Sequence, residues 1–236
     1  MEIEIETKRT YLGLRPGKFI FGIVAFVVII VSGILSKQVF YEILISLFSV
    51  ITILYIIEGK LIGCVFGIAF CAAYAVVCYS RELYGLMLFQ ICMGMPMYAV
   101  SVFTWKKNQN SQNKGTVAVK RLPLKKLGLI IGTAFIGYWG ILALLTAINS
   151  SNAAIDGLTL AFGICGMILL SLRYVEQWYF NIASCASVMI LWIIKSIEDI
   201  SNLNFLIVAI IYVTSNTIGL ISWLKMDKTN KIDKNI

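Results

Sequence analysis

Glu58 and Trp105 lie 47 residues apart, and so do Glu176 and Trp223. A single offset of 118 residues superposes both pairs, and it also carries Tyr74 onto Trp192 and Lys107 onto Lys225. Each copy takes in three long apolar runs, and one further apolar run lies between the copies. A duplication of this form restricts the chain to folds in which two three-helix units are joined through a single connecting helix.

Apolar residues make up 59% of the 236, charged residues only 14%, and the mean hydropathy is +0.87. That exceeds what a water-soluble domain of this length buries, and the charges fall in short stretches between apolar runs, as in a multi-span membrane protein. Eight spans are predicted, at residues 19–35, 40–57, 61–79, 84–103, 127–147, 157–172, 178–194 and 204–223. The first lacks a small-residue cleavage pattern and is followed at once by more spans, which argues against a signal peptide.

A net charge of +8 raises nucleic acid as a partner, but the placement of the charge argues against it. With the N-terminus inside, 17 of the 20 Lys and Arg face the cytosol, and only Lys37, Arg81 and Lys195 face outward. This bias predicts an even number of spans with both termini cytoplasmic. The charge partner is then the lipid bilayer, through its anionic headgroups.

The chain has no histidine, which removes the commonest metal ligand and the usual general base near neutral pH. No paired acids or CxxC motif replace it, so no metal, cofactor or enzyme activity is expected. The six cysteines all fall in predicted spans. Cys64, Cys71 and Cys78 recur every seven residues on one helix face and read as packing residues.

The predicted organisation is all-α. Residues 1–39 form an arm and an extra span, 40–105 the first three-helix repeat, 106–156 a loop and linker span, 157–224 the second repeat, and 225–236 a cytosolic tail. Equivalent spans are separated by three others and so cross in the same direction. The repeats are therefore parallel, related by an axis along the membrane normal, with the linker span inverting the chain between them. The first span lies outside this 3+1+3 pattern. The loop after Trp105 carries Lys106, Lys107, Lys114, Lys120, Arg121, Lys125 and Lys126 with no acid, and its Asn/Gln-rich centre, residues 108–113, is expected to be mobile.

Gln90, Asn181 and Asn216 place carboxamides inside predicted spans, where each must find partners, as interhelical glue or as ligands for a polar substrate. Tyr74, Tyr98, Trp178, Trp192 and Tyr212 supply rings for stacking. The repeat sets Tyr98 opposite Asn216, so one half offers a ring where the other offers an amide. Trp178, Trp105 and Trp223 can alternatively anchor span ends at the membrane interface, and Trp139 is expected to pack against the repeats. Glu58 and Glu176 either support the short turns or act as gates. Pro96 should kink the fourth span, a device missing from the other half, where Thr214 stands. Gly63 with Gly67, and Gly128 with Gly132, suggest close helix approach.

The stretch from Leu61 to Asn108, with Tyr84-Gly85, Pro96-Met97 and Trp105-Lys106-Lys107-Asn108, resembles the first half of the bacterial PnuC-type nicotinamide riboside transporters. Glu176-Gln177-Trp178 and Gly219 through Trp223 resemble their second half. The resemblance implies a bacterial inner-membrane protein, related in fold to SWEET sugar transporters and assembled as a homotrimer. It also implies facilitated uptake of a small aromatic vitamin precursor or nucleoside, drawn inward by a cytosolic kinase. In the family pattern, Trp178 matches the first tryptophan of the seventh span, Asn181 replaces the second, and Gln90 falls at a frequent amide. Cys185 takes a polar position, Tyr98 takes the place of an amide after Pro-Met, and Ser101 that of a glycine. Thiamine, riboflavin or another nucleoside are alternative cargoes. A SWEET-like sugar carrier and a non-transport membrane assembly protein or enzyme are further alternatives.

Overall fold

The computed structural model describes residues 10–80, 84–109, 115–147, 152–198, 200 and 203–232. The alternating Ile–Glu start of the arm, the turn at Arg81-Glu82, most of the Asn/Gln-rich loop centre and most of the polar stretch at residues 149–152 lie outside the described residues.

The helices are α1 (Pro16–Leu35), α2 (Phe40–Ile57), α3 (Leu61–Ser80), α4 (Tyr84–Phe89), α5 (Met95–Lys107), α6 (Leu124–Ala147), α7 (Ala153–Ser171), α8 (Gln177–Glu198) and α9 (Leu203–Ile232). A π-helical turn, Gln90–Gly94, joins α4 to α5. Among the described residues, eight helical segments are long and apolar enough to cross a membrane, with Met87–Lys107 counted as one. The interruption expected at Pro96 takes the form of this π turn. Proline lacks an N–H and crowds the carbonyl four residues back, at Cys92, and a widened turn there relieves both.

Within the first half α2 packs on α3 and α3 on α5; within the second, α7 packs on α8 and α8 on α9. The halves meet reciprocally, α2 against α9 and α5 against α7. Two matched hydrogen-bond pairs close this junction. Trp105 Nε1 donates to Leu170 O at 3.2 Å and Thr104 Oγ1 to Ser171 O at 2.7 Å. In the other half Trp223 Nε1 donates to Ile56 O at 3.0 Å and Ser222 Oγ to Ile57 O at 3.1 Å. The donors differ by 118 residues and the acceptors by 114, so the duplication includes a four-residue length difference between α2–α3 and α7–α8. Trp105 and Trp223, read from sequence as possible interface anchors, are instead fully buried.

The segment after Gly115 is ordered, which composition did not foretell. Val117 N donates to Gly59 O at 2.8 Å, Lys120 N to Arg173 O at 3.1 Å, and Val175 N to Lys120 O at 3.0 Å. This strap therefore ties the α2–α3 turn to the α7–α8 turn, and Val117, Val119 and Leu122 are buried beneath it. Arg173, held at a positive φ of 67°, donates from Nη1 to Ala118 O at 3.0 Å. Burial pulls its guanidinium below the ordinary pKa, with Tyr174 opposing the shift.

Both repeat glutamates are buried and clamped in the same way. Glu58 Oε1 accepts the Arg15 backbone N–H at 3.2 Å and lies 3.0 Å from Lys18 Nζ. Glu176 Oε2 accepts the Leu122 N–H at 2.9 Å, and its Oε1 lies 3.5 Å from Arg121 Nη1. Lys18 also donates to Ser222 Oγ at 2.7 Å, so the first span is bound to both halves rather than being a loose addition.

Two packing expectations are corrected. Gly63 does bring α3 against α2, since a Cβ there would fall 2.8 Å from Ile56 N, but Gly128 and Gly132 of α6 meet nothing within 4 Å. Trp139 is 55% exposed and touches rings of its own helix, Phe135 and Tyr138. Within the described structure α6 packs on α7 alone, which leaves its glycine face and Trp139 outward.

Candidate functional site

A cavity of about 230 Å³ lies between the halves. Its walls repeat the duplication at the 114-residue offset: α2 contributes Ser49, Ile53 and Ile56, and α7 contributes Gly163, Met167 and Leu170 at the matching positions. Ile56 and Leu170 are the same residues whose carbonyls accept the crossing tryptophan bonds, so the cavity sits directly against the closed junction. Trp178 also joins the two regions. It lines the cavity and makes an edge contact with Trp223 at 5.7 Å, while Trp223 is 5.7 Å from Trp105.

Of the residues singled out in the sequence, Gln90, Tyr98, Trp178, Asn181, Tyr212 and Asn216 line the cavity. Tyr74 and Trp192 do not. Tyr74 stacks on Phe70, itself a lining residue, at 5.5 Å, and Trp192 stacks on Phe205 at 4.5 Å. Glu58, Glu176, Trp105 and Trp223 belong to the junction below. Sequence reasoning overlooked Gln177, Ser49, Thr52, Phe70, Phe89 and Ser184. Ser49 and Thr52 were detectable as hydroxyls that continue, at three-residue spacing from Ser46, along one face of a mostly apolar helix. Gln177 was hidden beside Glu176, where a polar residue reads as part of a span end.

Among the described residues, the lining contains no Lys, Arg, Asp or Glu. Its polarity comes from four carboxamides and several hydroxyls. Ser49, Thr52 and Ser184 donate to backbone carbonyls of Ser46, Phe48 and Thr159, which occupies their protons. The amides are less satisfied. Asn216 Nδ2 donates to Tyr212 O at 2.8 Å and reaches Cys185 Sγ at 3.4 Å, but its Oδ1 is buried without a partner. Both polar atoms of the Gln177 carboxamide and the indole Nε1 of Trp178 are likewise buried and unpartnered. Each such group costs about 1–3 kcal/mol unless something enters to bond it.

Three of the lining side chains rest on glycines. A Cβ at Gly219 would strike the indole of Trp178, one at Gly166 would strike the Asn181 carboxamide, and one at Gly67 would fall 2.7 Å from three atoms of the Tyr98 ring. The glycines thereby fix how far these groups withdraw from the cavity. Gly94, in the π turn, does the same for the Cys71 thiol at 2.8 Å.

Two like three-helix units around a small uncharged cavity, within eight membrane-crossing helices, define a multi-pass carrier of small solutes. The chain belongs to the family described as nicotinamide mononucleotide transporter, whose profile matches residues 39–225. A nicotinamide riboside transporter PnuC of Neisseria mucosa is 25% identical over 183 residues, 76% of this chain and 70% of that protein. The protein of the same name from Haemophilus influenzae is 28% identical over 144 residues, 61% of this chain and 64% of its own length. The crystal structure of a vitamin B3 transporter PnuC shares the fold, with a TM-score of 0.80 over 93% of this chain and 95% of that one, at 21% identity. All are named as transporters, and this chain is a transport protein of a bacterial membrane rather than an enzyme.

Proposed function

We propose that this chain carries nicotinamide riboside across the membrane. The observation that carries the proposal is a cavity with no charged side chain among its described residues, lined by aromatic rings and carboxamides with unused hydrogen-bonding capacity. A mononucleotide would bring a phosphate of about −1.5 to −2 charge into this space. With no Lys or Arg among the lining residues, its desolvation would cost several kcal/mol. The riboside has no phosphate. Its pyridinium cation is diffuse, and attraction to the faces of Trp178, Tyr98 or Tyr212 contributes about 0.5–2 kcal/mol without an acidic partner. Gln90, Asn181 and Asn216 are suited to the ribose hydroxyls and the amide. Tyr74 would act from behind, as a ring supporting the wall at Phe70, and Trp192 has no part in binding. The names of the two bacterial relatives support the same cargo.

Transport proceeds by alternating access. The crossing bonds of Trp105 and Trp223 close the cavity at the end that holds the strap, and the duplication gives two units that can rock about them. Lys18, Lys60, Lys120, Arg121 and Arg173 gather at this end, around the strap and the two turns it joins, which supports a cytosolic location with both termini inside. No ion relay or nucleotide-binding element is needed for facilitated diffusion, with a cytosolic kinase trapping the product. Assembly as a homotrimer follows from the family resemblance. The test is uptake of labelled nicotinamide riboside into proteoliposomes. The internal concentration should rise to the external value and stop, with no requirement for ATP. Accumulation above the external value in the absence of a kinase would contradict facilitated diffusion.

A further inference from the structure

We infer that Gln177 is a specificity-determining residue that recognises a carboxamide on the aromatic ring of the cargo. The inference rests on the riboside reading above and deepens it. Gln177 opens α8, lines the cavity, and has no solvent exposure. Its Nε2 and Oε1 are both buried without a partner, and the Nε1 of the adjacent Trp178 is in the same condition. One donor and one acceptor on the same side chain, both unused, form the least satisfied group at the cavity.

The protein around Gln177 does not supply the missing bonds. The neighbouring Glu176 is already committed to the Leu122 N–H and to Arg121. The α8 backbone at this point closes its own turn, with Gln177 N on Tyr174 O and Trp178 N on Val175 O. In the first half the position 118 residues earlier is Gly59, so the amide belongs to one half only and is not a feature of the duplicated scaffold. A buried amide held open in this way is destabilising in the empty protein, and an apolar residue of the same size would be better tolerated. Its presence is accounted for when a ligand satisfies both ends at once.

The chemistry of that ligand follows from the geometry of a carboxamide. A primary amide presents a C=O and an N–H side by side in one plane, and two such groups pair through reciprocal N–H···O=C bonds. A carboxylate presents acceptors only: it can take the Gln177 N–H but leaves Oε1 facing negative charge. Gln177 therefore selects nicotinamide riboside over nicotinic acid riboside, two cargoes that differ only at this group.

The test compares the affinities of the two ribosides for wild type and for Gln177→Met, together with the ligand-free melting temperature. Wild type should prefer the carboxamide by at least about tenfold, the equivalent of one lost hydrogen bond of about 1.4 kcal/mol. Gln177→Met should bring the two affinities within about threefold, while the ligand-free protein melts at the same temperature or higher. Undiminished discrimination in Gln177→Met would overturn the inference. If the methionine variant does not fold, Gln177→Asn decides: it keeps the amide but shortens its reach, and should lose most of the preference. Full preference in that variant would equally overturn the inference. Wild type binding both ribosides alike would refute the role of Gln177 alone. Wild type binding neither would refute the proposed function.

Discussion

Gly67 lies against the ring of Tyr98, so close that a Cβ on the glycine would fall 2.7 Å from three atoms of the phenol. The duplication places Cys185 at the position of Gly67 and Asn216 at that of Tyr98, and these two also touch, with Asn216 Nδ2 at 3.4 Å from Cys185 Sγ. Each half thus pairs a small residue on its middle helix with a larger one on its last helix, but the pairs are different. The reciprocal exchange leaves a hydrophobic wall on one side of the cavity and a hydrogen-bonding group on the other. Gly67→Ala should force the Tyr98 ring toward the cavity, with an overpacking cost of about 1–3 kcal/mol and a loss of cargo affinity. Adding Tyr98→Asn should recover much of the stability but not the affinity. Melting curves and binding isotherms for the single and double variants check both statements, and equal loss of stability in both would contradict the pairing.

The crossing tryptophan bonds should be energetically matched and coupled. Trp223→Phe removes the donor to Ile56 O, and Trp105→Phe the donor to Leu170 O, at about 1 kcal/mol each from the lost bond. Because the two rings are 5.7 Å apart, the double variant should depart from additivity by at least about 0.5 kcal/mol. A double-mutant cycle on thermal or denaturant unfolding in detergent measures this; strict additivity would mean that the two halves close independently.

The glutamate clamps make an asymmetric prediction. Glu176 is 4% exposed and accepts a backbone N–H, whereas the side chain of Arg121 is 40% exposed. Glu176→Gln should therefore destabilise by about 1–3 kcal/mol through imperfectly satisfied buried groups. Arg121→Met should cost less than about 1 kcal/mol, since its pairing is screened by solvent. Glu58→Gln should behave like Glu176→Gln. Comparison of unfolding midpoints tests the ranking, and a larger loss from Arg121→Met would reverse the assignment of the carboxylate as the organising group.

The architecture was legible because duplication and hydropathy survive in one dimension. The eight apolar runs and the spacing from Glu58 to Trp105 are local or periodic signals, and they translate directly into helices. The amides and rings at Gln90, Tyr98, Trp178, Asn181, Tyr212 and Asn216 were visible as polar or large groups inside apolar runs. Helix facing was not visible. Tyr74 and Trp192 fit the repeat as well as Tyr98 does, yet neither lines the cavity: Tyr74 stacks behind the lining residue Phe70, and Trp192 on Phe205, which is not part of the lining. The strap escaped notice for a different reason. Val117, Val119 and Leu122 are a few apolar residues in a basic loop, and their burial depends on bonds from the strap backbone to Gly59, Arg173 and Glu176, all distant in sequence. Gly166 and Gly219 were visible as glycines inside apolar runs, but not what they face, since contact with Asn181 and Trp178 exists only once the helices are packed.

The central claim is that the cavity between the halves holds an aromatic nucleoside and, having no charged lining, rejects its phosphate ester. Calorimetric titration of the purified protein with nicotinamide riboside and with nicotinamide mononucleotide, repeated on Trp178→Ala, tests it most directly. The account predicts binding of the riboside, binding of the mononucleotide weaker by roughly a hundredfold or more, about 2.7 kcal/mol, and loss of riboside binding in the variant. Equal or tighter binding of the mononucleotide, or riboside binding unchanged by Trp178→Ala, would contradict it.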